Sequence, residues 1–578
     1  MENGPERPRL MGDNIPDEVM REDLQRFEAE QVNSRIWKRD YTLWSSSPEE
    51  ISNRLGWLTS HRLSGKALRE INELSEEVRG EGYTHALLMG MGGSSMAPEV
   101  FRRIFGVQEG YLDLHIIDST DPEAVREKED KLDPARTLYI VSTKSGGTVE
   151  TVSLMKYFYN RAAADLGNEN AGRHFIAITD PGSSLEKTAA ELGFRKTFLN
   201  DPDIGGRYSA LSYFGLVPAA LIGVDLNRLL HNAGAMAGHS EMAFHPAEDG
   251  NTPAWLGMAL GALGKKGRDK VTLISSSPLA PFGAWLEQLL AESTGKKGTG
   301  LLPVDGESIA EPDVYAADRL FIYFRLQGDT AFDDDTGRIK SAGHPVIQVD
   351  LRDRYDLAGE FFRWMMATAV AGWSLGINPF DQPNVEAAKI RAREMTEAYR
   401  EKGALPSFTP DLEVDGIEVY SGQKTESLPE AWNNFLEQAQ PGEEEGKGRS
   451  YIAIQAYLKP DPETDRALQA LQNSLRNIYR MAVTVGYGPR YLHSTGQLHK
   501  GDGGNGLFVQ LTADQQDDLP VPDRAGSEAS SITFGVLKAA QATGDRQALL
   551  DAGRKVIRFH LDRDTGESIG VLIAALEK

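Results

Sequence analysis

The chain of 578 residues contains no cysteine. This absence excludes disulfide frameworks, thiolate metal sites and cysteine nucleophiles, and it is consistent with a reducing compartment. The chain also lacks an apolar run of about eighteen residues, so the sequence predicts no membrane-spanning helix. Residues 1–33 are polar and acidic and lack the apolar stretch of a secretory signal. We therefore expect a soluble, cytoplasmic protein.

Basic residues are in the minority among the charged residues. The chain has 62 Lys and Arg against 85 Asp and Glu, which gives a formal net charge of -23. An acidic balance of this size disfavours nucleic acid and anionic membranes as partners. A local basic pocket for a small phosphate is still compatible with it.

Two glycine-rich turns each follow a predicted strand and precede a predicted helix. They are residues 90–95 (GMGGSS) and residues 143–148 (TKSGGT). Backbone N–H groups at a helix N-terminus attract an anion, glycine allows close approach, and hydroxyl side chains add donors. Neither turn has the GxxxxGK[ST] spacing of a P-loop, which disfavours a nucleoside triphosphate. An ordinary turn is the alternative for each motif, but two such turns together favour a site for a small phosphorylated ligand.

Short apolar runs alternate with helical patterns through most of the chain, which predicts an α/β fold with parallel sheets covered by helices on both faces. We predict two αβα sandwiches, at residues 81–230 and 231–400. The predicted strands of the first lie near residues 86–91, 114–117, 138–141, 175–178 and 196–199. Those of the second lie near residues 271–274, 320–324 and 346–349.

The flanking segments carry weaker patterns. We interpret residues 1–33 as a disordered or loosely docked arm, residues 34–80 as an N-terminal helical segment, and residues 401–449 as a linker. Residues 450–578 show the order βαββαβ, which predicts a C-terminal α+β domain of split-βαβ type. In that arrangement residues 493–504 join the two middle strands, either as a solvated hairpin loop or as a lid or anion site over the cleft.

Several polar side chains outside the turns could carry chemistry. Arg207 lies in a Gly-Gly-Arg-Tyr-Ser segment, and Gln288 and Glu292 share one face of a helix that ends at Gly295. His344 precedes a strand, and Lys389 lies on a helix that follows a loop rich in Pro and Asn. Each has an ordinary structural alternative, such as a surface ion pair for Arg207 or a solvated carboxylate for Glu292. Only their combination indicates a function.

Taken in order, these segments resemble the glucose-6-phosphate isomerase family of the sugar isomerase (SIS) fold. The resemblance covers roughly residues 80–395. Residues 90–95 are similar to the family's GIGGS turn, 143–151 to SKTxxTxET, 205–209 to GGRxS, 288–296 to QxxxESxGK, and 380–389 to FDQxGVExxK. The sequence departs from these patterns at Ser95, where the family often has Asp, at Thr143, where Ser is usual, at the Gly pair 146–147, and at Asn384, where Gly is usual.

The resemblance implies two SIS-type domains and a role for each candidate residue. Glu292 would move a proton between C2 and C1, Arg207 would stabilise the cis-enediolate, and His344 and Lys389 would open the sugar ring. Gln288 and Gln382 would position the sugar. The residues implied to hold the sugar phosphate are Gly93, Ser94, Thr143, Lys144, Ser145 and Thr148. The family implies no cofactor and no metal, and its members are homodimers whose site borrows a histidine from the partner, which here would be His344.

The resemblance leaves alternatives open. Residues 36–58 and 491–501 are similar to the isomerase half of bacterial transaldolase/glucose-6-phosphate isomerase fusions, but residues 1–33 are too few for a transaldolase barrel, so transaldolase activity is not expected. A dual-specificity phosphoglucose/phosphomannose isomerase and a catalytically silent SIS-type sugar-phosphate sensor are the competing functions. A sensor would need the phosphate-binding turns without Glu292, Arg207, His344 and Lys389 together.

Overall fold

The computed structural model describes residues 9–63, 65–242, 251–442, 448–515, 517–562 and 564–578. Three large sheets, of five, six and five strands, organise this part of the chain. Among these residues no helix is long and apolar enough to cross a membrane.

The first sheet confirms the predicted parallel α/β architecture. Its strands lie in the spatial order Asp113–Ile117, His85–Gly90, Thr137–Ser142, Phe175–Thr179 and Lys196–Leu199, and all neighbours are parallel. The central strands are buried on both faces, as expected for a parallel sheet covered by helices. The helices of this region are Gly65–Gly80, Met96–Phe105, Pro122–Lys131, Val149–Leu166, Asn168–Ala171, Ser184–Glu191 and Tyr213–Leu221.

The second sheet contains the three predicted strands and two that the sequence did not indicate. Its order is Arg9–Asp13, Val346–Leu351, Arg319–Leu326, Lys270–Ser275 and Leu302–Val304. Every pair is parallel except the first, in which Arg9–Asp13 runs antiparallel to Val346–Leu351. The helices around it are Leu226–Glu241, Thr252–Lys265, Phe282–Thr294, Asp333–Ser341 and Leu357–Leu375.

From residue 9 onward the N-terminal segment differs from the loosely docked arm that we expected for residues 1–33, and residues 1–8 lie outside the described residues. Beyond the edge strand, helix Asp17–Ala29 buries Met20 and Phe27, and helix Val32–Trp37 follows it. The buried carboxylate of Asp23 accepts hydrogen bonds from Lys265 Nζ at 2.7 and 2.8 Å. We predicted an arm because the segment is rich in charged residues, but its apolar side chains recur at helical spacing and form one face of an amphipathic helix.

The third sheet corrects the predicted split-βαβ topology. Four parallel strands lie in the order Ala482–Tyr487, Tyr451–Tyr457, Gly506–Ala513 and Lys555–Leu561. A split-βαβ domain would pair neighbouring strands in opposite directions, whereas Tyr451–Tyr457 is parallel to both of its neighbours. Residues 488–505 are a crossover that contains helix Gly496–Gly501, not a hairpin loop, because they join two parallel strands that lie on opposite sides of Tyr451–Tyr457.

Residues 401–449, expected to be a linker, also contribute to this third sheet. Ile417–Tyr420 pairs antiparallel with Lys555–Leu561, and Leu412–Val414 extends the edge. The helices of the C-terminal region are Val385–Lys402, Leu428–Leu436, Pro462–Tyr479, Gly496–Gly501, Phe534–Asp551 and Thr565–Leu576, and a short hairpin joins Pro520–Val521 to Ile532–Thr533.

A shared apolar core joins the second sheet to the third. Leu302 and Val304 of the second sheet cluster with Tyr451 and Phe508 of the third, and Leu498 of the crossover helix completes the contact. These side chains are almost fully buried. The C-terminal region is therefore packed against the rest of the chain, and its crossover lies beside helix Phe282–Thr294.

Candidate active site

The two glycine-rich turns meet at one edge of the first sheet. They follow the paired strands His85–Gly90 and Thr137–Ser142, whose carboxyl ends lie side by side. Ser142 Oγ donates a hydrogen bond to the carbonyl oxygen of Ser94 at 3.1 Å. Ligands of open parallel sheets bind at this edge, so the turns can address the same small molecule.

Glycine is required at the first turn because other backbones approach it closely. A Cβ on Gly93 would overlap the carbonyl oxygen of Gly206. Gly92 has φ 53, and a Cβ there would lie 2.8 Å from Gln288 Nε2 and 2.9 Å from the carbonyl oxygen of His493. Three distant segments of the chain, at Gly206, Gln288 and His493, therefore converge on this turn.

Arg207 lies beside this turn, and several hydrogen bonds and one ion pair hold its guanidinium in place. Its Nη1 lies 3.1 Å from Glu292 Oε1 and donates to Gln382 Oε1 at 3.0 Å, while its Nε donates to Ser293 Oγ at 2.7 Å. Its Nη2 donates to the carbonyl oxygens of Pro379 and Asp381, at 2.7 and 2.9 Å. A buried guanidinium held in this way is a preorganised positive charge.

Glu292 lies between this cation and an amide. Its Oε2 accepts a hydrogen bond from Gln288 Nε2 at 3.1 Å, and its side chain is 14% exposed. The helical spacing of four residues places Gln288 and Glu292 on the same face, as the sequence predicts. A carboxylate that remains accessible beside a fixed guanidinium can move a proton on a carbon acid while the cation stabilises the oxyanion.

Lys296, to which the sequence alone assigned no role, supports the loop that carries Gln382. Its Nζ donates to the carbonyl oxygen and to Oδ1 of Asp381, at 2.6 and 2.7 Å. Burial, followed by the charge of Arg207, lowers the pKa of Lys296 to about 7. Lys296 and Arg207 together hold the loop that presents Gln382, and the lysine at the end of the motif QxxxESxGK was the available signal.

The second turn presents hydroxyl groups at the start of helix Val149–Leu166. Thr143 Oγ1 and Thr148 Oγ1 share a hydrogen bond of 2.9 Å, and Ser145 Oγ accepts from the backbone N–H of Gly147 at 3.3 Å. The amine of Lys144 forms an ion pair with Asp180 and donates to the carbonyl oxygen of Pro202. We therefore assign no phosphate contact to that amine.

A cavity of about 430 Å³ adjoins this turn. Its polar lining includes Ser145, Thr148 and Lys389 from the predicted set. It also includes Glu150 and His493, which lie in the segments 143–151 and 491–501 but received no catalytic role from the sequence, and Gln541, which lies in no motif. Lys389 is 46% exposed, and its Nζ donates to Glu386 Oε1 at 2.8 Å. The cavity thus brings hydroxyl groups, a lysine and an imidazole to one side of the site.

His344 is not brought into this cleft within the chain. It precedes strand Val346–Leu351 and is not among the residues that line the cavity beside the second turn. Its ring packs against Phe321 and Tyr315, with ring centroids 5.5 and 6.2 Å apart. Burial lowers the pKa of this imidazole.

One group of side chains has the arrangement of metal ligands among the described residues. His85, Asp113 and His115 offer ligand atoms within 4.8 Å of one another. His85 and Asp113 begin their strands, so the group lies at the amino ends of the first sheet, opposite the glycine-rich turns. It therefore has no place in the chemistry of the cleft.

Comparisons with known proteins identify the family of this chain. Residues 66–306 match the family model described as phosphoglucose isomerase. A glucose-6-phosphate isomerase of Rubrobacter xylanophilus is 30% identical over an alignment of 369 residues, and the match covers 55% of this chain and 83% of that protein. A glucose-6-phosphate isomerase of Prochlorococcus marinus is 36% identical over an alignment of 390 residues, and the match covers 60% of this chain and 73% of that protein.

Two solved structures share the fold. A hypothetical protein from Thermus thermophilus superposes with a TM-score of 0.56 at 25% identity, over 67% of this chain and 99% of that one. A glucose-6-phosphate isomerase from Chlamydia trachomatis superposes with a TM-score of 0.50 at 19% identity, over 64% of this chain and 78% of that one. Fold and site define an isomerase of the SIS fold. The chain belongs to the phosphoglucose isomerase family.

Proposed function

We propose that this chain interconverts glucose 6-phosphate and fructose 6-phosphate by proton transfer through a cis-enediol. The contact between Glu292 and Arg207 carries the proposal, because it pairs a base with a fixed cation beside the phosphate-binding turns. In the open-chain sugar Glu292 removes the proton from C2 and returns it to C1. The guanidinium stabilises the negative charge that develops on the oxygens between these two steps.

The remaining side chains bind and orient the sugar. The hydroxyl groups of Thr143, Ser145 and Thr148 hold the phosphate, with Ser94 and the backbone of Gly93 at the facing turn. Gln288 and Gln382 contact Glu292 and Arg207 directly, so they position the sugar carbons against the base and the cation. Lys389 takes part in ring opening from the adjoining cavity.

A coupled assay tests the assignment. Turnover of fructose 6-phosphate to glucose 6-phosphate is the expected result, measured through reduction of NADP by a glucose-6-phosphate dehydrogenase. The same assay with mannose 6-phosphate distinguishes the dual-specificity alternative, which requires comparable rates for both sugars. Binding of either sugar phosphate without turnover would instead identify a sensor and overturn the assignment.

We also propose that the protein is a cytoplasmic homodimer. The absence of cysteine supports a reducing compartment, and membership of a family of dimeric enzymes supports the oligomeric state. Analytical ultracentrifugation of the purified chain measures the second point directly. A monomer at micromolar concentration would exclude a site shared between subunits.

A further inference from the structure

We propose that His85, Asp113 and His115 form a binding site for one divalent transition-metal ion of the Zn²⁺ type, and that Thr84 positions the ring of His85. The site lies at the amino ends of the first sheet, opposite the catalytic cleft. It joins two strands of that sheet, and it does not depend on the proposed isomerase function.

The register of two parallel strands places the three ligands together. Asp113–Ile117 is the edge strand of the first sheet, and its Asp113 pairs with His85 of the neighbouring strand. Paired residues of parallel strands share one face of a sheet, and so do residues two positions apart, which adds His115 to this face. The grouping is therefore a product of the folded sheet and not of a local sequence motif.

The ligand atoms lie close to the spacing that one ion requires. One nitrogen or oxygen atom of each side chain lies within 4.8 Å of the other two, and His115 Nε2 lies 3.5 Å from Asp113 Oδ2. Ligands at about 2.0–2.2 Å from a tetrahedral Zn²⁺ are about 3.3 Å apart. The side chain of Asp113 is 53% exposed, so a small rotation in solvent closes the difference.

A hydroxyl group orients one of the two imidazoles. Thr84 Oγ1 and His85 Nδ1 share a hydrogen bond of 2.8 Å. Because Nδ1 is held in this way, Nε2 is the nitrogen of His85 that is available to a metal. A hydrogen bond to the other ring nitrogen is the usual device that sets the tautomer and the orientation of a metal-binding histidine.

The three ligands end a face of the sheet that is otherwise apolar. Farther along the same two strands, Leu87 and Ile117 are buried in a cluster with Val125 of helix Pro122–Lys131. An ion at the amino ends would close this layer and fix the edge strand to its neighbour. We therefore assign the site a structural role.

The donor atoms select the class of metal. Two imidazoles and one carboxylate suit Zn²⁺, Ni²⁺ or Cu²⁺, whereas Mg²⁺ and Ca²⁺ prefer ligand sets made of oxygen alone. Two cations, Arg102 and Lys128, act electrostatically on His115. Arg102 is neutralised by Glu99 through hydrogen bonds of 2.8 and 2.9 Å. The charge of Lys128 should therefore weaken the binding of a dication.

Equilibrium dialysis of the full chain against Zn²⁺, after removal of metals with a chelator, tests the site. We expect one Zn²⁺ per chain and a higher thermal midpoint in Zn²⁺ than in EDTA. His85→Gln and His115→Gln should each lower the affinity about 100-fold, and Thr84→Val, which preserves the shape of the side chain, about 10-fold. The control His560→Gln removes a histidine that lies 3.4 Å from Asp514, and it should leave the affinity unchanged.

A charge variant locates the bound ion. Lys128→Gln removes the nearby positive charge and should tighten Zn²⁺ binding about threefold at low ionic strength, with a smaller effect at high salt. An unchanged affinity would place the ion away from His115 and overturn the assignment.

Three other results would also overturn the proposal: no saturable binding of Zn²⁺ by the parent chain, equal affinity in the parent and in both ligand-histidine variants, or an equal loss in His560→Gln. Unchanged affinity in Thr84→Val would refute the positioning role of Thr84. Circular dichroism verifies that each variant is folded, and Asp113→Asn, at an exposed position, replaces a histidine variant that does not fold.

Discussion

The first two sheets and the third sheet reach the cleft in different ways. In the first two sheets, the turns and the helix that line the cleft directly follow strands of the same sheet. Arg207, Gln288 and Glu292 therefore lie close in sequence to the elements that position them. The third sheet contributes through a crossover, whose His493 and Gln497 contact residues of the other two regions. A region outside the phosphoglucose isomerase match at residues 66–306 can thus contribute contacts to the cleft by docking one short segment.

The largest expected effect is the loss of activity when the base Glu292 is replaced. Glu292→Gln should lower kcat by about 10³-fold or more, since general-base catalysis contributes roughly 10²–10⁴ and the amide cannot accept the C2 proton. Binding of fructose 6-phosphate should change little. Steady-state assay and titration measure both, with Glu287→Gln on the same helix as the control. Activity within a few-fold of the parent would contradict the assignment.

Because the third region packs against the second, a truncation in their shared core should lower the stability of the protein. Leu498→Ala removes a fully buried side chain from the core shared with the second sheet, and such truncations cost about 2–5 kcal/mol. We expect a lower thermal midpoint by calorimetry, while Leu550→Ala at an exposed position serves as the control. Equal midpoints for the two variants would mean that the crossover is an independent appendage.

Even a substitution that keeps the positive charge of Arg207 should lower activity. Arg207→Lys should lower kcat about 100-fold, because an ammonium group cannot reproduce the planar contacts and one lost oxyanion contact commonly has this effect. Affinity for the sugar phosphate should fall less. The exposed Arg228→Lys is the comparison. Lost affinity with unchanged kcat would make Arg207 a ligand of the ground state only.

The smallest expected effect is a pH dependence of stability at Glu287, where the second region contacts the C-terminal region. Burial and the nearby Asp305 raise the pKa of Glu287, which contacts Ser494, to about 8. Because the folded state holds this proton more tightly, the contribution of Glu287 to stability is lost as pH rises from about 5 through 8. The midpoint of Glu287→Gln, relative to the parent, should therefore rise between pH 5 and pH 9. Exposed Glu413→Gln should show no such trend.

The sequence predicted the first sheet well because its apolar runs are short, separate and bounded by turns. All five strands are present, including Lys196–Leu199. The grouping of Arg207, Glu292 and Gln382 followed from the motifs and their resemblance to one family. Without that resemblance, the helical spacing of four residues placed only Gln288 and Glu292 on one face. It favoured a solvated surface position for Glu292 over a catalytic one.

The C-terminal topology and the position of His493 could not be predicted in the same way. An apolar run such as Tyr451–Tyr457 reads alike in a parallel and an antiparallel sheet, and helix Gly496–Gly501 is short and begins and ends with glycine. Nothing in local periodicity shows that His493 meets Glu150, because the contact joins residues 343 positions apart. The 18-residue connection between two strands was the available sign of a crossover.

The core shared by the second and third sheets has a consequence for synthesis. Domains generally fold as they leave the ribosome, from the N-terminus onward. The apolar edge at Leu302 and Val304 is complete long before its partners Tyr451, Leu498 and Phe508 have been made. A nascent chain that ends near residue 400 therefore exposes this edge to other chains and chaperones, and the contacts of His493 and Gln497 with the cleft form only after the last third of the protein has emerged.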